Sequence, residues 1–526
     1  MTAKFDQDDD SVVVIIGSGA GGGTLANELA QKGISSVVLE AGGVFENDDI
    51  ENDEWGMFLK LTDFDKRYSA GGWHGAQNHP TLPNWLVKGL GGSTVHWAGV
   101  SLRFHEHEFK MQTVNGDIQD ANMADWPITL EELEPYYDRA EIKMGVTGKA
   151  TGMPHLPWSN DFRVLAEGAR RVGYTKIESG PMAINSVDRD GRPACQQIGF
   201  CMQGCKIGAK WSTDITEIPA AVETGKCEVR TNCMVLQIEH DESGKATGVV
   251  YADADGNQQR QAARVVAVAG NSIETPRLLL NSASSMFPDG LANSSGQVGK
   301  NYMVHVNGGV YSEMPERVHI HRGTQVAGIV ADEVPNNPER GFIGGYHLEK
   351  LTLGLPVMSL FLKRGNGAWG RDLAQALERY DYLSGVYIVG EDLPQEQNGI
   401  TLHDTEKDQH GLPVPIVSRT PHNNDERMLK HAYGVMDKIH DAMDAKTTHH
   451  LAKYPASHNM GTARMHEDPA RGVVNKWGQT HDIPNLFISD GSVFTTSGAA
   501  NPTLTIVALV IRQAEYIAQE MNANNI

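Results

Sequence analysis

Two tracts hold residue types at spacings that chemistry can use. Cys195, Cys201 and Cys205 stand in RPACQQIGFCMQGCKIGAKWST, with Gly199, Gly204 and Gly208 interleaved so that the backbone can fold round a bound group. Three thiolates this close suit a metal ion or an iron-sulfur cluster. A tetrahedral structural zinc needs a fourth ligand, and no histidine or further cysteine lies between 187 and 226. A disulfide would use two thiols and strand the third. A three-iron cluster needs only three cysteines, so the spacing leaves such a cluster and buried free thiols both open.

The second tract is Gly17, Gly19 and Gly22, a G-x-G-x-x-G directly after the apolar run VVVII and before the helical segment TLANELAQKG. One glycine makes the tight turn, one lets backbone approach a pyrophosphate, and one lets helix and strand pack closely. Glu40 ends the next strand, SVVLEAGG. A carboxylate there accepts hydrogen bonds from both ribose hydroxyls of an adenosine and repels a 2′-phosphate. Strand, turn, helix and acid agree on a dinucleotide, but they do not separate FAD from NAD.

Elements must hold these residues in place. Residues 11–43 read as a βαβ unit, followed by a loop-rich tract at 44–84 and a second glycine cluster, KGLGGSTVHWAG. DWPITLEELEPYYDRAE reads as an amphipathic helix with Thr129 as N-cap and Glu132 three residues on. Residues 227–280 read as three strands and a helix, with Cys227 and Cys233 as strand cysteines whose role is packing. Beyond 300, strands such as GVYIVGE and PVPIVSR mix with helices around 371–380 and 424–444. The strand NLFISD and the helix LTIVALVIRQAEYIAQEM follow, and no repeat or low-complexity tract interrupts the pattern.

At 526 residues, 40% hydrophobic and 21% charged, the chain can bury a large core and fits two or more domains. A formal charge of -21 opposes phosphate backbones and anionic lipid, which argues against nucleic-acid and membrane-surface partners. No segment approaches the ~20 apolar residues of a membrane helix. The start, MTAKFDQDDDSVVVIIG, carries no basic n-region, long apolar stretch or twin arginine, so no export signal is expected in this chain. Five cysteines are too few for a disulfide scaffold.

The motifs together are similar to those of the glucose-methanol-choline (GMC) oxidoreductase family, from the first strand to the last helix. GSGAGGGTLANELA with Glu40 resembles its FAD-binding start and KGLGGSTVHWAG its second glycine motif. AGNSIETPRLLLNSA resembles its third motif, and SHNMGTARM with NLFISDGSVFTTSGAANPTLTIVAL its carboxy-terminal signature. The resemblance implies an α/β and α+β chain: a discontinuous, Rossmann-like FAD domain (11–110, 206–300 and 456–526) and a substrate domain (111–205 and 301–455) with a helix-backed antiparallel sheet. The cysteine tract spans 192–213. Beyond the first glycines and Glu40, the residues implied at the flavin are Gly91, Gly92, Ser93, His96, Val235, Asp490, Gly491, Asn501, Pro502 and Thr503. In a related sugar oxidase the position of His96 carries the flavin covalently, while many relatives hold FAD noncovalently, so His96 is flavin-proximal with the linkage open.

Oxidising an alcohol carbon by hydride removal sends the hydroxyl proton to a base, and histidine titrates in the right range. By the resemblance, His458 matches the family's base position. Asn501 matches its second active-site position, where it would hydrogen-bond the same hydroxyl. His466 and His481 lie nearby in sequence but off the matching position.

The cysteine tract resembles that of the flavin subunits of bacterial gluconate, fructose, glucose and glucoside 3-dehydrogenases, which carry a 3Fe-4S cluster there. That implies a sugar or glycoside substrate, electrons leaving singly through the cluster, a cytochrome c acceptor and a small subunit bearing the export signal. Periplasmic co-export and a cytoplasmic location both fit. Competing readings are an oxidase using dioxygen and a hydroxynitrile-lyase-like flavoprotein with no redox step.

Overall fold

The computed structural model describes residues 5–61, 65–78, 80–81, 84–451 and 457–526. VVII, SVVL and VVAV are short, uninterrupted apolar runs, the signature of strands buried on both faces. They pair in parallel: the sheet order is Leu486–Ile488, Val265–Val268, Val13–Ile16, Ser36–Leu39, Cys227–Arg230. Period two assigns the faces. Val14, Ile16, Val266 and Val268 enter one core, while Val13, Ile15, Val265 and Ala267 meet Leu25 and Leu29 of helix Ala20–Gln31 and Val510 and Ile517 of helix Thr503–Asn522 on the other.

A second sheet is antiparallel with six strands, in the order Thr447–His450, Val306–Glu313, Leu383–Gly390, Tyr346–Lys350, Ile329–Val330, Ile177–Glu178. Val310, Leu348, Val386 and Ile388 point to helices Asn160–Arg171 and Asn423–Asp441, meeting Phe162, Leu165, Met428 and Met436. The opposite face carries Tyr311, Leu351, Tyr387 and Val389, and Cys201 packs in the cluster they form. Both the nucleotide-type sheet and the helix-backed antiparallel sheet are present, as the motifs imply. Thr129 caps helix Leu130–Met144: its Oγ1 accepts from Glu132 N at 3.2 Å, and Glu132 returns the bond to Thr129 N at 3.0 Å.

Some expectations need correction. Residues 227–280 contain five strands before helix Asn271–Asn281, not three. CEVRTNCMVLQIEHD breaks where Asn232 turns to φ +55°, sending Cys227–Arg230 to the parallel sheet and Met234–His240 to a three-stranded meander. Cys233 therefore lies in the link between these two strands, not in a strand. The polar strand Gln258–Ala262 is fixed by pairing with Ala246–Ala252 rather than by its own pattern. The tract at 44–84 holds helix Glu54–Leu61 and strand Tyr68–Ala70, part of the tract lying outside the described residues, and helix Leu355–Asn366 is an addition. Among the described residues no helix is long and apolar enough to cross a membrane.

Candidate active site

Glu40 knits the glycine loops together. Its Oε2 accepts from Ser18 N at 3.0 Å and Ser18 Oγ at 2.6 Å, and its Oε1 accepts from Gly42 N at 2.9 Å. Ser18 Oγ accepts from Gly91 N at 3.0 Å. Thr213, at the end of the cysteine tract, donates its hydroxyl to Ser18 O at 2.7 Å and its amide to Thr94 Oγ1 at 3.1 Å. Lys210, buried, donates from Nζ to the carbonyls of Thr94, Val95 and Trp97 at 3.1, 2.8 and 2.9 Å. Three distant stretches thus form one floor.

The motif glycines have distinct mechanical reasons. Gly17 turns at φ +96°, which side-chain-bearing residues avoid. A Cβ on Gly21 would fall 1.6 Å from Ser489 O, and one on Gly22 would fall 2.0 Å from Gly17 O. Gly19 instead faces a cavity of about 440 Å³, at the start of helix Ala20–Gln31. That helix has no acidic residue in its first turn and no side-chain cap, so its amides and dipole suit an anion such as a pyrophosphate.

Gly17, Glu40, Gly92, Ser93 and His96 line the same cavity, as do Val235, Asp490, Gly491, Pro502 and Thr503. Gly22 and Gly91 lie behind this wall, where they shape it. Asp490 acts as a clasp: Oδ2 accepts from Asn271 N at 2.8 Å and Thr275 Oγ1 at 2.5 Å, while Oδ1 accepts from Ser492 N at 2.8 Å. It ties the ends of two parallel strands together.

His458 and Asn501 line the cavity too. Asn501 is 7% exposed, and its Oδ1 has no hydrogen-bond partner among the described residues. A buried orphan acceptor costs about 1–3 kcal/mol, which a ligand's donor would recover. Burial pulls His458 down to about 4, so at neutral pH it is uncharged and able to accept a proton. His466 and His481 bond to each other, Nε2 of His481 donating to His466 O at 3.0 Å, and neither lines the cavity.

Sequence reasoning missed His305, His347 and Glu349. Nδ1 of His305 lies 2.8 Å from Nδ1 of His458. His347 donates from Nδ1 to Ala499 O at 2.6 Å and its Nε2 meets Glu349 Oε1 at 2.9 Å, Glu349 itself facing the cavity. The available signal was YHLEK, where His and Glu fall on one face of a strand.

Cys195, Cys201 and Cys205 form no disulfide, and Cys201 is buried. Burial raises Cys195 to about 11 and raises Cys201 as well, against the charges of Lys210 and Lys350 that favour its thiolate. Among the described residues, the trios of ligand atoms within 4.8 Å of one another are His319, His321 and Asp381, and His107, Glu108 and Glu391. The three thiols do not converge in that way on a single ion. Met202 and Gln203, between the second and third cysteines, line the cavity, and Met202 O accepts from His96 Nδ1.

Comparison with known proteins now places the chain. Residues 64–307 and 394–509 match the amino- and carboxy-terminal parts of the GMC oxidoreductase family, and the chain belongs to that family, as an FAD-dependent oxidoreductase. It is 34% identical to 2-methyl-1,2-propanediol dehydrogenase of Mycolicibacterium austroafricanum over 99% of this chain and 97% of that one. It is 29% identical to the fructose dehydrogenase large subunit of Gluconobacter japonicus, over 97% and 98%. Pyridoxine 4-oxidase from Mesorbium loti shares the fold at a TM-score of 0.70 and 16% identity, covering 97% of this chain and 99% of that one.

Proposed function

We propose that the enzyme is a dehydrogenase of a sugar or sugar-derivative hydroxyl, with His458 as the base and Asn501 as the second group on the substrate oxygen. The observation that carries this is that one cavity is lined both by an uncharged histidine and by an orphaned buried amide oxygen. FAD, when bound, supplies the hydride acceptor. Gly17, Gly19 and the start of helix Ala20–Gln31 would hold its pyrophosphate, Glu40 its ribose, and His96 would lie beside it. Glu349 and Tyr387, from the inner face of the antiparallel sheet, line the cavity and would orient the substrate.

In the same proposal Cys195, Cys201 and Cys205 hold a 3Fe-4S cluster, which accepts one electron at a time. Support comes from the three-thiol donor set, the two buried lysines that act on it, and the contact of Met202 with His96. The name of the fructose dehydrogenase relative, a large subunit, favours partner subunits; that these are a cytochrome c acceptor and a small subunit bearing an export signal is what the resemblance of the cysteine tract implies. Residues 11–110, 206–300 and 456–526 are assigned to the cofactor side, and 111–205 and 301–455 to the substrate side.

The test is an anaerobic visible spectrum with iron and sulfide quantified, before and after adding a panel of sugars and 2-methyl-1,2-propanediol. Flavin bands with about three irons per chain, bleached by a sugar, are expected. Bleaching by the diol alone would overturn the sugar assignment, and flavin without iron would overturn the cluster. Peroxide formed in air at the rate of substrate oxidation would make the enzyme an oxidase.

A further inference from the structure

His305 is 3% exposed and directly precedes strand Val306–Glu313 of the antiparallel sheet. Its Nε2 lies 3.0 Å from the carbonyl oxygen of Gly498 and 3.4 Å from that of Ser497. A carbonyl only accepts, so this nitrogen carries the proton. In a neutral ring Nδ1 then holds the lone pair, and it faces Nδ1 of His458 at 2.8 Å, with the two rings at 87°. Two lone pairs cannot share a hydrogen bond. His458 must therefore carry its proton on Nδ1, which leaves Nε2 as an acceptor. Burial, with His458 and His347 adding to it, holds His305 well below the ordinary histidine value, so the ring is neutral as this argument requires.

We propose that His305 is a positioning residue that locks His458 in the Nδ1–H tautomer, making Nε2 the atom that takes the substrate's hydroxyl proton. This rests on the reading of His458 as the base. The lock has work to do, because a free neutral histidine side chain prefers the Nε2–H tautomer, which cannot accept at that nitrogen. The step balances: the hydroxyl proton passes to Nε2, the O–H pair becomes the second carbon–oxygen bond, and the C–H pair leaves as hydride to the oxidant FAD. Imidazolium then forms with Nδ1–H still bonded to His305. Glu349 and His347 also act electrostatically on His458, Glu349 favouring that charge and His347 opposing it. One loop serves both active-site groups, since Gly498 orients His305 and Asn501 follows three residues later.

The experiment uses FAD-loaded, histidine-15N-labelled enzyme, with His458 signals assigned by their loss in His458→Ala. Nitrogen shifts of the wild type should report Nδ1–H at His458, and Nε2–H there would overturn the proposal outright. His305→Leu should release the ring to Nε2–H and slow anaerobic flavin reduction by about 10²–10⁴-fold, with KM little changed. His305→Asn, whose amide oxygen can stand near the lost Nδ1, should restore the tautomer and most of the rate. A His305→Leu enzyme that reduces flavin at the wild-type rate while His458→Ala does not would also overturn it. Wild-type reduction by His458→Ala would instead remove the base assignment, with the nitrogen shifts still deciding the tautomer.

Discussion

Asn501 and His458 are reached by different sequence signals than the residues that orient them. Their place on the cavity was legible because each sits in a compact motif, SHNMGT and AANPTLT, whose order along the chain matches a family pattern. His305 and His347 were not, because what makes them matter is a ring-to-ring contact and a carbonyl some 150 residues away in the chain. A local pattern carries no trace of such a meeting. In the proposed mechanism the orphaned Oδ1 of Asn501 has a direct consequence for the rate. Asn501→Ala should slow flavin reduction by about 5–160-fold, the rate equivalent of one lost buried hydrogen bond of ~1–3 kcal/mol. Stopped-flow reduction at saturating substrate measures it, and FAD content should be unchanged, because a truncated side chain leaves the loop backbone in place.

At the scale of elements, the sequence specifies best what is local. The βαβ start, the Thr129 cap and the closing helix follow from apolar runs and cap chemistry within a few residues. The strand Gln258–Ala262 does not, since its polar residues become a strand only by pairing with a neighbour. Replacing Thr129 by Ala should cost about 1 kcal/mol, read as a lower urea midpoint with an unchanged slope. Gly22→Ala is more severe at the same scale. Its methyl would meet Gly17 O at 2.0 Å, so helix Ala20–Gln31 must move off the sheet and carry its amino terminus away from the cavity. Purified Gly22→Ala enzyme should retain little FAD by absorbance, and full flavin occupancy would show that the helix tolerates the shift.

At the scale of the whole molecule, buried uncharged histidines set the acid limit. Burial pulls both His440 and His458 to about 4, and holds His305 well below the ordinary histidine value. Below the ordinary value of 6.5 the unfolded chain binds protons that the folded one refuses. Stability is therefore intact above 6.5 and falls with pH towards 4, by on the order of 1 kcal/mol per pH unit for each such histidine. Urea midpoints at pH 7 and pH 5 check this, and His440→Asn should flatten the slope. The parallel sheet carries a different kind of consequence. Its strands come from residues 13–16, 36–39, 227–230, 265–268 and 486–488, and the cavity wall is finished by Asp490, Gly491, Asn501, Pro502 and Thr503. A nascent chain translated only as far as Asn485 has no clasp at Asp490 and no closed nucleotide seat. Flavin uptake thus waits until the segment through Thr503 has left the ribosome, and any machinery that moves the loaded enzyme must move a folded body.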